Sequence, residues 1–198
     1  EFVCSSCGYT SPKWLGKCPG CSEWNSLMEE TKTNKQTDTV LWSDEILQKE
    51  QPINIKKIVS SKIDRIITKD KELNRVLGGG IVPGSVVLIG GEPGIGKSTL
   101  MLQITLSLEM EKSLYVSGEE SKEQIKIRSE RLGEKYDNCF VLTETNLENI
   151  LTILKKSKPD ILIIDSIQTM KKQTIDATPG SISQIRECAH ELMIYAKK

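Results

Sequence analysis

Several things are scarce in this sequence, and each scarcity removes a class of protein. Net charge is absent: Lys+Arg and Asp+Glu stand at 27 each over 198 residues. Bulk electrostatics therefore makes no case for nucleic acid, and any such contact must come from local placement of charge. No apolar run approaches the roughly 18 residues of a membrane span, and the longest candidate, Val86 to Ile89, is cut off by glycine. No membrane partner is expected. No secretory leader is read either, and Glu1 in place of a methionine, with a cysteine motif almost at once, reads as a trimmed piece of a longer chain. Beyond residue 21 cysteines are rare: Cys4, Cys7, Cys18 and Cys21 cluster, and only Cys139 and Cys188 follow, both read as small hydrophobes. A disulfide-stapled secreted domain would spread its cysteines, so the clustering points to a metal and a reducing compartment. No internal repeat is visible. The single histidine, His190, is expected on a helix with no special role.

What is present is an ordinary globular balance, with 37% hydrophobic and 27% charged residues. The length suits one core of about 100–150 residues plus a smaller appendage. Composition divides the chain into a Cys-, Gly-, Pro- and Trp-rich zone over 1–27, a polar linker over 28–55 with one short helix at Ser43 to Glu50, and a core over 56–198. In that core, short apolar strands alternate with helices, the pattern of a parallel α/β sheet with flanking helices. Strands are expected at Val86–Gly91, Ser113–Ser117, Cys139–Leu142 and Ile161–Asp165. Helices are expected at Lys97–Met110, Ser121–Leu132, Leu147–Lys156 and Ser181–Ala196, the second opening on a Ser N-cap with Gln124 at the capping-box position.

Cys4-Ser-Ser-Cys7 and Cys18-Pro-Gly-Cys21 form two C-x2-C knuckles. Four thiolates at that spacing can converge on one tetrahedral Zn2+ at about 2.3 Å each, and a closed sulfur shell leaves no position for substrate, so the site is structural. A segment this short cannot bury enough apolar area to fold by itself; the metal would supply roughly 10–16 kcal/mol of apparent stability. Disulfides or free thiols are the competing reading. Lys13, Trp14, Lys17 and Trp24 offer charge and a stacking face to single-stranded DNA, or else the tryptophans pack over the metal core.

Gly91-Glu92-Pro93-Gly94-Ile95-Gly96-Lys97-Ser98 fits the P-loop pattern between a strand and a helix. Its amides would approach the phosphates of ATP at a helix N-terminus, Lys97 would neutralise the β- and γ-phosphates, Ser98 would reach Mg2+, and Thr99 would lie beside the α-phosphate. Two further acids support this reading. Asp165 ends an apolar strand, the arrangement that holds the magnesium through its water shell. Glu119 and Glu120 end another strand at the same sheet edge, where a carboxylate can orient and partly deprotonate the attacking water. Glu119 is favoured as that base, with Glu120 second. No N-K-x-D segment points to guanine.

Taken together, Ser11-Pro-Lys-Trp-Leu-Gly16, Cys18-Pro-Gly-Cys21, Leu77-Gly-Gly-Gly-Ile-Val-Pro-Gly84, Gly90 to Thr99, Tyr115-Val-Ser-Gly-Glu-Glu-Ser121 and Pro179-Gly-Ser-Ile-Ser-Gln-Ile-Arg-Glu187 resemble the RadA (Sms) family of bacterial DNA repair proteins. The resemblance spans essentially the whole chain. It implies a RecA-like P-loop NTPase core, truncated at its C-terminus, behind a zinc ribbon: a DNA-dependent, bacterial and cytoplasmic ATPase that processes or extends branched intermediates of homologous recombination. It also implies a homo-hexameric ring with ATP between subunits, single-stranded or branched DNA and the recombinase RecA as partners, and a DNA-facing loop over Thr169 to Pro179 carrying Lys171 and Lys172. Asn74 stands where the family usually has an acid, and Glu92 where it usually has Asp.

Family members continue into further strands. One of these inserts between the P-loop strand and the Asp165 strand, so Asp165 is expected to lack a fixed distance to Lys97, and this segment alone to hydrolyse ATP poorly. Two other readings compete. One is a zinc-dependent DNA- or partner-binding module whose P-loop region binds without hydrolysing. The other is a circadian-clock-type ATPase, which shares the paired glutamates but has no use for the four cysteines.

Overall fold

The computed structural model describes residues 2–29, 52–58, 64–109, 111–133 and 138–197. Most of the polar linker, including the helix expected at Ser43 to Glu50, lies outside the described residues.

The cysteine-rich zone is a small antiparallel sheet. Strands β1 (Phe2–Cys4), β2 (Thr10–Ser11) and β3 (Leu27–Glu29) lie in the order β2-β1-β3, with Val3 facing Thr10 on one side and Met28 on the other. Such short strands show no alternation in sequence. Buried Cys4, Cys18 and Leu27, with Phe2 packed against them, make up its apolar core.

The larger region contains α1 (Lys71–Val76), α2 (Lys97–Ser107), β4 (Ser113–Ser117), α3 (Lys122–Leu132), β5 (Cys139–Thr143), α4 (Leu147–Ser157), β6 (Ile161–Asp165) and α5 (Ile182–Ala196). The three strands pair in parallel in the order β5-β4-β6. Because both faces of β4 are covered, all five of its residues are buried, as expected for a strand in a two-sided parallel sheet. Tyr115 points to one face and packs with Leu102, Leu106, Leu108 and Ile125 of the α2 and α3 side. Leu114 and Val116 point to the other, with Leu147, Ile150, Leu154 and Cys188 of α4 and α5. Each such side chain contributes about 1.5–3 kcal/mol on leaving water.

Local chemistry sets the helix ends. Ser121 and Gln124 form a reciprocal capping box at α3, Asn146 caps α4, and Ser181 caps α5. Helix α2 stops at Ser107 rather than Met110 because Leu108 turns extended and inserts, 1% exposed, into the core.

The expected strand at Val86–Gly91 is a correction. That segment carries no strand ladder, and Val86, Val87 and Leu88 are 55%, 44% and 85% exposed. A strand exists through its partner's hydrogen bonds, and among the described residues β4, β5 and β6 pair only with one another. No helix among the described residues is long and apolar enough to cross a membrane.

Candidate nucleotide site and metal centre

The loop over 91–96 is exposed and feeds directly into α2. Gly94 and Gly96 have φ of +79° and +98°, and an added Cβ would meet nothing within 4 Å at either. Glycine is thus required for backbone conformation rather than for space. Lys97 folds back on its own loop, its Nζ donating to the carbonyls of Gly91 at 2.8 Å and Glu92 at 2.7 Å.

Asp165 does have a defined position against the P-loop helix, contrary to expectation: the Ser98 hydroxyl donates to Asp165 Oδ1 at 3.0 Å. The cause is packing, since Leu102 and Leu106 of α2 share a core with Tyr115, Ile161 and Ile163. The other oxygen, Oδ2, accepts from the Tyr115 hydroxyl. Tyr115 pairs with Ile163 and Ser117 with Asp165, so the phenol reaches its diagonal neighbour on the same sheet face. Burial first, and the Asp165 carboxylate second, keep this phenol protonated well beyond its ordinary range.

The paired glutamates part company. Ser117 Oγ accepts from the amides of Glu119 and Glu120 at 3.4 and 3.0 Å, which turns the chain out of β4. Glu119 Oε1 accepts from the hydroxyl of Ser166, the residue after Asp165, at 2.8 Å. Glu120 is ion-paired to Arg128 on α3. Between them and the strand, Gly118 admits Thr169 so closely that a Cβ there would lie 2.1 Å from Thr169 Oγ1. No role at the nucleotide site was read from sequence for Tyr115, Ser166, Arg128 or Thr169. Only Tyr115 had a signal, being two positions before Ser117 on an alternating strand.

In the ribbon, the Sγ atoms of Cys4, Cys7, Cys18 and Cys21 all lie within 4.8 Å of one another, with Cys4–Cys21 at 3.6 Å and Cys7–Cys18 at 3.5 Å. Four sulfurs bound at about 2.3 Å to one tetrahedral ion sit about 3.8 Å apart, so the donor set fits a structural zinc. None of the six cysteines is in a disulfide. Ser26 Oγ lies 3.2 Å from Cys4 Sγ, and the Gly20 amide donates to Cys18 Sγ at 3.3 Å, an outer layer of the kind that orients thiolate ligands.

Trp14 and Trp24 do not cover the metal core; they are 54% and 70% exposed, and Lys17 Nζ stands 5.7 Å from the Trp24 ring. Lys13 and Lys17 are exposed, as is Lys171. Lys172 is not a free cation in a flexible loop. Its ammonium is held by Glu191 at 2.8 Å and Glu187 at 3.5 Å on α5, with 15% side-chain exposure. Burial works against its charge, but the hydrogen bond to Glu191 and the two carboxylates outweigh it, and its pKa lies above the ordinary lysine value. The expectation that it points outward beside Lys171 is therefore corrected.

Fold and site together define a class: a zinc-ribbon domain followed by a RecA-type ATPase region. The rubredoxin metal-binding domain family matches residues 2–29, and the KaiC ATPase family matches 64–141. DNA repair protein RadA of Halalkalibacterium halodurans is 50% identical over 201 residues, covering 100% of this chain and 44% of the relative. Those of Listeria monocytogenes and Bacillus subtilis are 49% and 47% identical, again across 100% of the chain and 43% and 44% of the relatives. Across the residues it spans, the chain belongs to the RadA family. It spans less than half the length of these relatives.

Proposed function

We propose that this chain supplies the metal-binding and nucleotide-binding part of a DNA-dependent ATPase of recombination and repair, a motor that processes or extends branched DNA. The observation that carries this reading is the 3.0 Å bond from Ser98 to Asp165, with Glu119 bonded to the very next residue. Those are the groups ATP hydrolysis needs at one sheet edge. The backbone N–H groups from Gly91 through Thr99, all but Pro93, which has none, would receive the phosphates, with Pro93 shaping the loop and Lys97 moving from its own carbonyls to the terminal phosphates. Ser98 and Asp165 would hold Mg2+, which supplies charge neutralisation. Glu119 would orient the attacking water, and Ser166 would fix its carboxylate.

DNA contacts are assigned to local features: exposed Lys171 in the loop after β6, and Lys13 and Lys17 beside the exposed Trp14 and Trp24. Domain limits of 1–27 and 56–198 around a polar linker, hexamer assembly, RecA as a partner and the reducing bacterial cytoplasm belong to the same proposal. The names of the RadA relatives, which carry DNA repair, support it.

The test is the ATPase rate of a full-length protein carrying this sequence, with and without single-stranded DNA. Lys97→Ala is expected to abolish turnover. A wild-type rate indifferent to DNA would defeat the motor reading and favour a zinc-dependent binding module, for which the exposed tryptophan face speaks.

A further inference from the structure

One buried amide organises the loop between β6 and α5. Gln184, on the first turn of α5, is 1% exposed. Its Oε1 accepts from the Lys172 amide at 2.8 Å. Its Nε2 donates to the carbonyls of Lys172, Ile175 and Ala177 at 3.2, 3.1 and 3.0 Å. A side-chain amide has two N–H donors, so one is shared, and the group is fully satisfied by a single segment of chain. Around it, Lys172 is tied to Glu187 and Glu191, the Gln173 amide donates to Glu148 Oε1 at 3.1 Å, and Met170 is buried in the core. Lys171 is also held through its backbone: its amide donates to Thr145, and its carbonyl accepts from Leu147, both at 2.9 Å. The side chains left outward are those of Lys171, Gln173, Thr174, Asp176 and Thr178. A sixteen-residue connection of this kind, Ser166 to Ser181, would ordinarily be mobile; here its polar backbone is committed from inside.

We propose that Gln184 is the positioning residue of the DNA-facing loop. It fixes residues 172–177 in one shape, so that Lys171 and the neighbouring polar groups of Gln173 and Thr174 meet the sugar–phosphate backbone of a single strand already arranged. Ordering paid for in the free protein is not charged to binding. This rests on the reading of the loop as a DNA surface. No other side chain of similar size can replace the amide: methionine makes none of the four bonds, and glutamate keeps the acceptor while facing three carbonyls.

The experiment compares wild type, Gln184→Met and Lys171→Ala in the full chain. It reads amide hydrogen exchange over 172–177, anisotropy of a labelled oligo-dT at several salt concentrations, and affinity for a fluorescent ATP analogue. Gln184→Met is expected to speed exchange in the loop at least about tenfold and weaken oligo-dT binding about tenfold, with nucleotide affinity kept within about twofold. Lys171→Ala should weaken oligo-dT binding and reduce the salt slope by about 0.7 without altering exchange. Unchanged exchange in Gln184→Met overturns the clamp. Faster exchange with oligo-dT affinity kept, while Lys171→Ala weakens it, overturns the positioning role and leaves the DNA surface standing. If neither variant alters oligo-dT affinity, the loop is not a DNA surface and both readings fall. Should Gln184→Met fail to fold, Gln184→Glu is judged on the same measurements.

Discussion

Glu119 and Glu120 are chemically identical neighbours whose surroundings differ. Glu119 takes a hydroxyl bond from Ser166 beside Asp165, whereas Glu120 neutralises Arg128. Glu119→Gln in a full-length protein should therefore lower kcat by about 10²–10⁴-fold, the range of a lost general base, with nucleotide affinity retained. Glu120→Gln should leave kcat within about tenfold and lower stability by about 1–3 kcal/mol, less than for a fully buried broken pair, because Arg128 loses its counter-charge. Steady-state rates and thermal melts of the two variants check this. Sequence could rank the two acids but not separate their duties, because the deciding residue is Arg128, on a helix whose facing is fixed only by packing. Asn74 is another such case: its amide both accepts from Thr68 and donates to the Thr68 carbonyl, which a family-type carboxylate could not do. By contrast, the cluster of four cysteines and the glycine-rich loop leading into α2 were legible at once, since both depend on local spacing.

Among the elements, α4 carries a pH-sensitive end. Glu144 Oε1 accepts from the amides of Thr145 and Asn146 at 2.8 and 2.9 Å, and Oε2 from the Asn149 side chain at 2.9 Å. The Asn146 amide first, and Asn149 next, hold its carboxyl below the usual carboxylate range. A folded-state pKa below the unfolded value of about 4.3 means the contribution is present above that value and is lost as pH falls through the folded pKa. The melting-temperature gap between wild type and Glu144→Gln should thus be full at pH 7 and shrink progressively below about pH 4. A gap independent of pH would exclude this cap as its source. Strands β4 and β6 and the four helices expected in the core were readable because two-sided burial and capping residues leave local marks. The Val86 segment was misread for the opposite reason: its apolar run satisfies a strand pattern, but pairing is a property of two segments.

For the whole molecule, the ribbon and the ATPase region are stabilised differently. The ribbon's apolar core is three buried residues, two of them metal-ligand cysteines, whereas the sheet is clamped between two separate hydrophobic clusters. Chelation should release one zinc per chain, collapse the ribbon and change the Trp14 and Trp24 emission, while the melting transition of the larger region persists. Metal analysis with fluorescence and calorimetry checks this, and visible thiolate–iron bands would identify the other ion that four sulfurs suit.

The bare Val86–Val87–Leu88 stretch has a practical corollary. On a chain with a formal charge of zero and a pI near 6.9, nothing repels one copy from the next at neutral pH. Light scattering should therefore find solubility lowest close to neutrality and improving toward either side, until acid or alkali begins to unfold the chain.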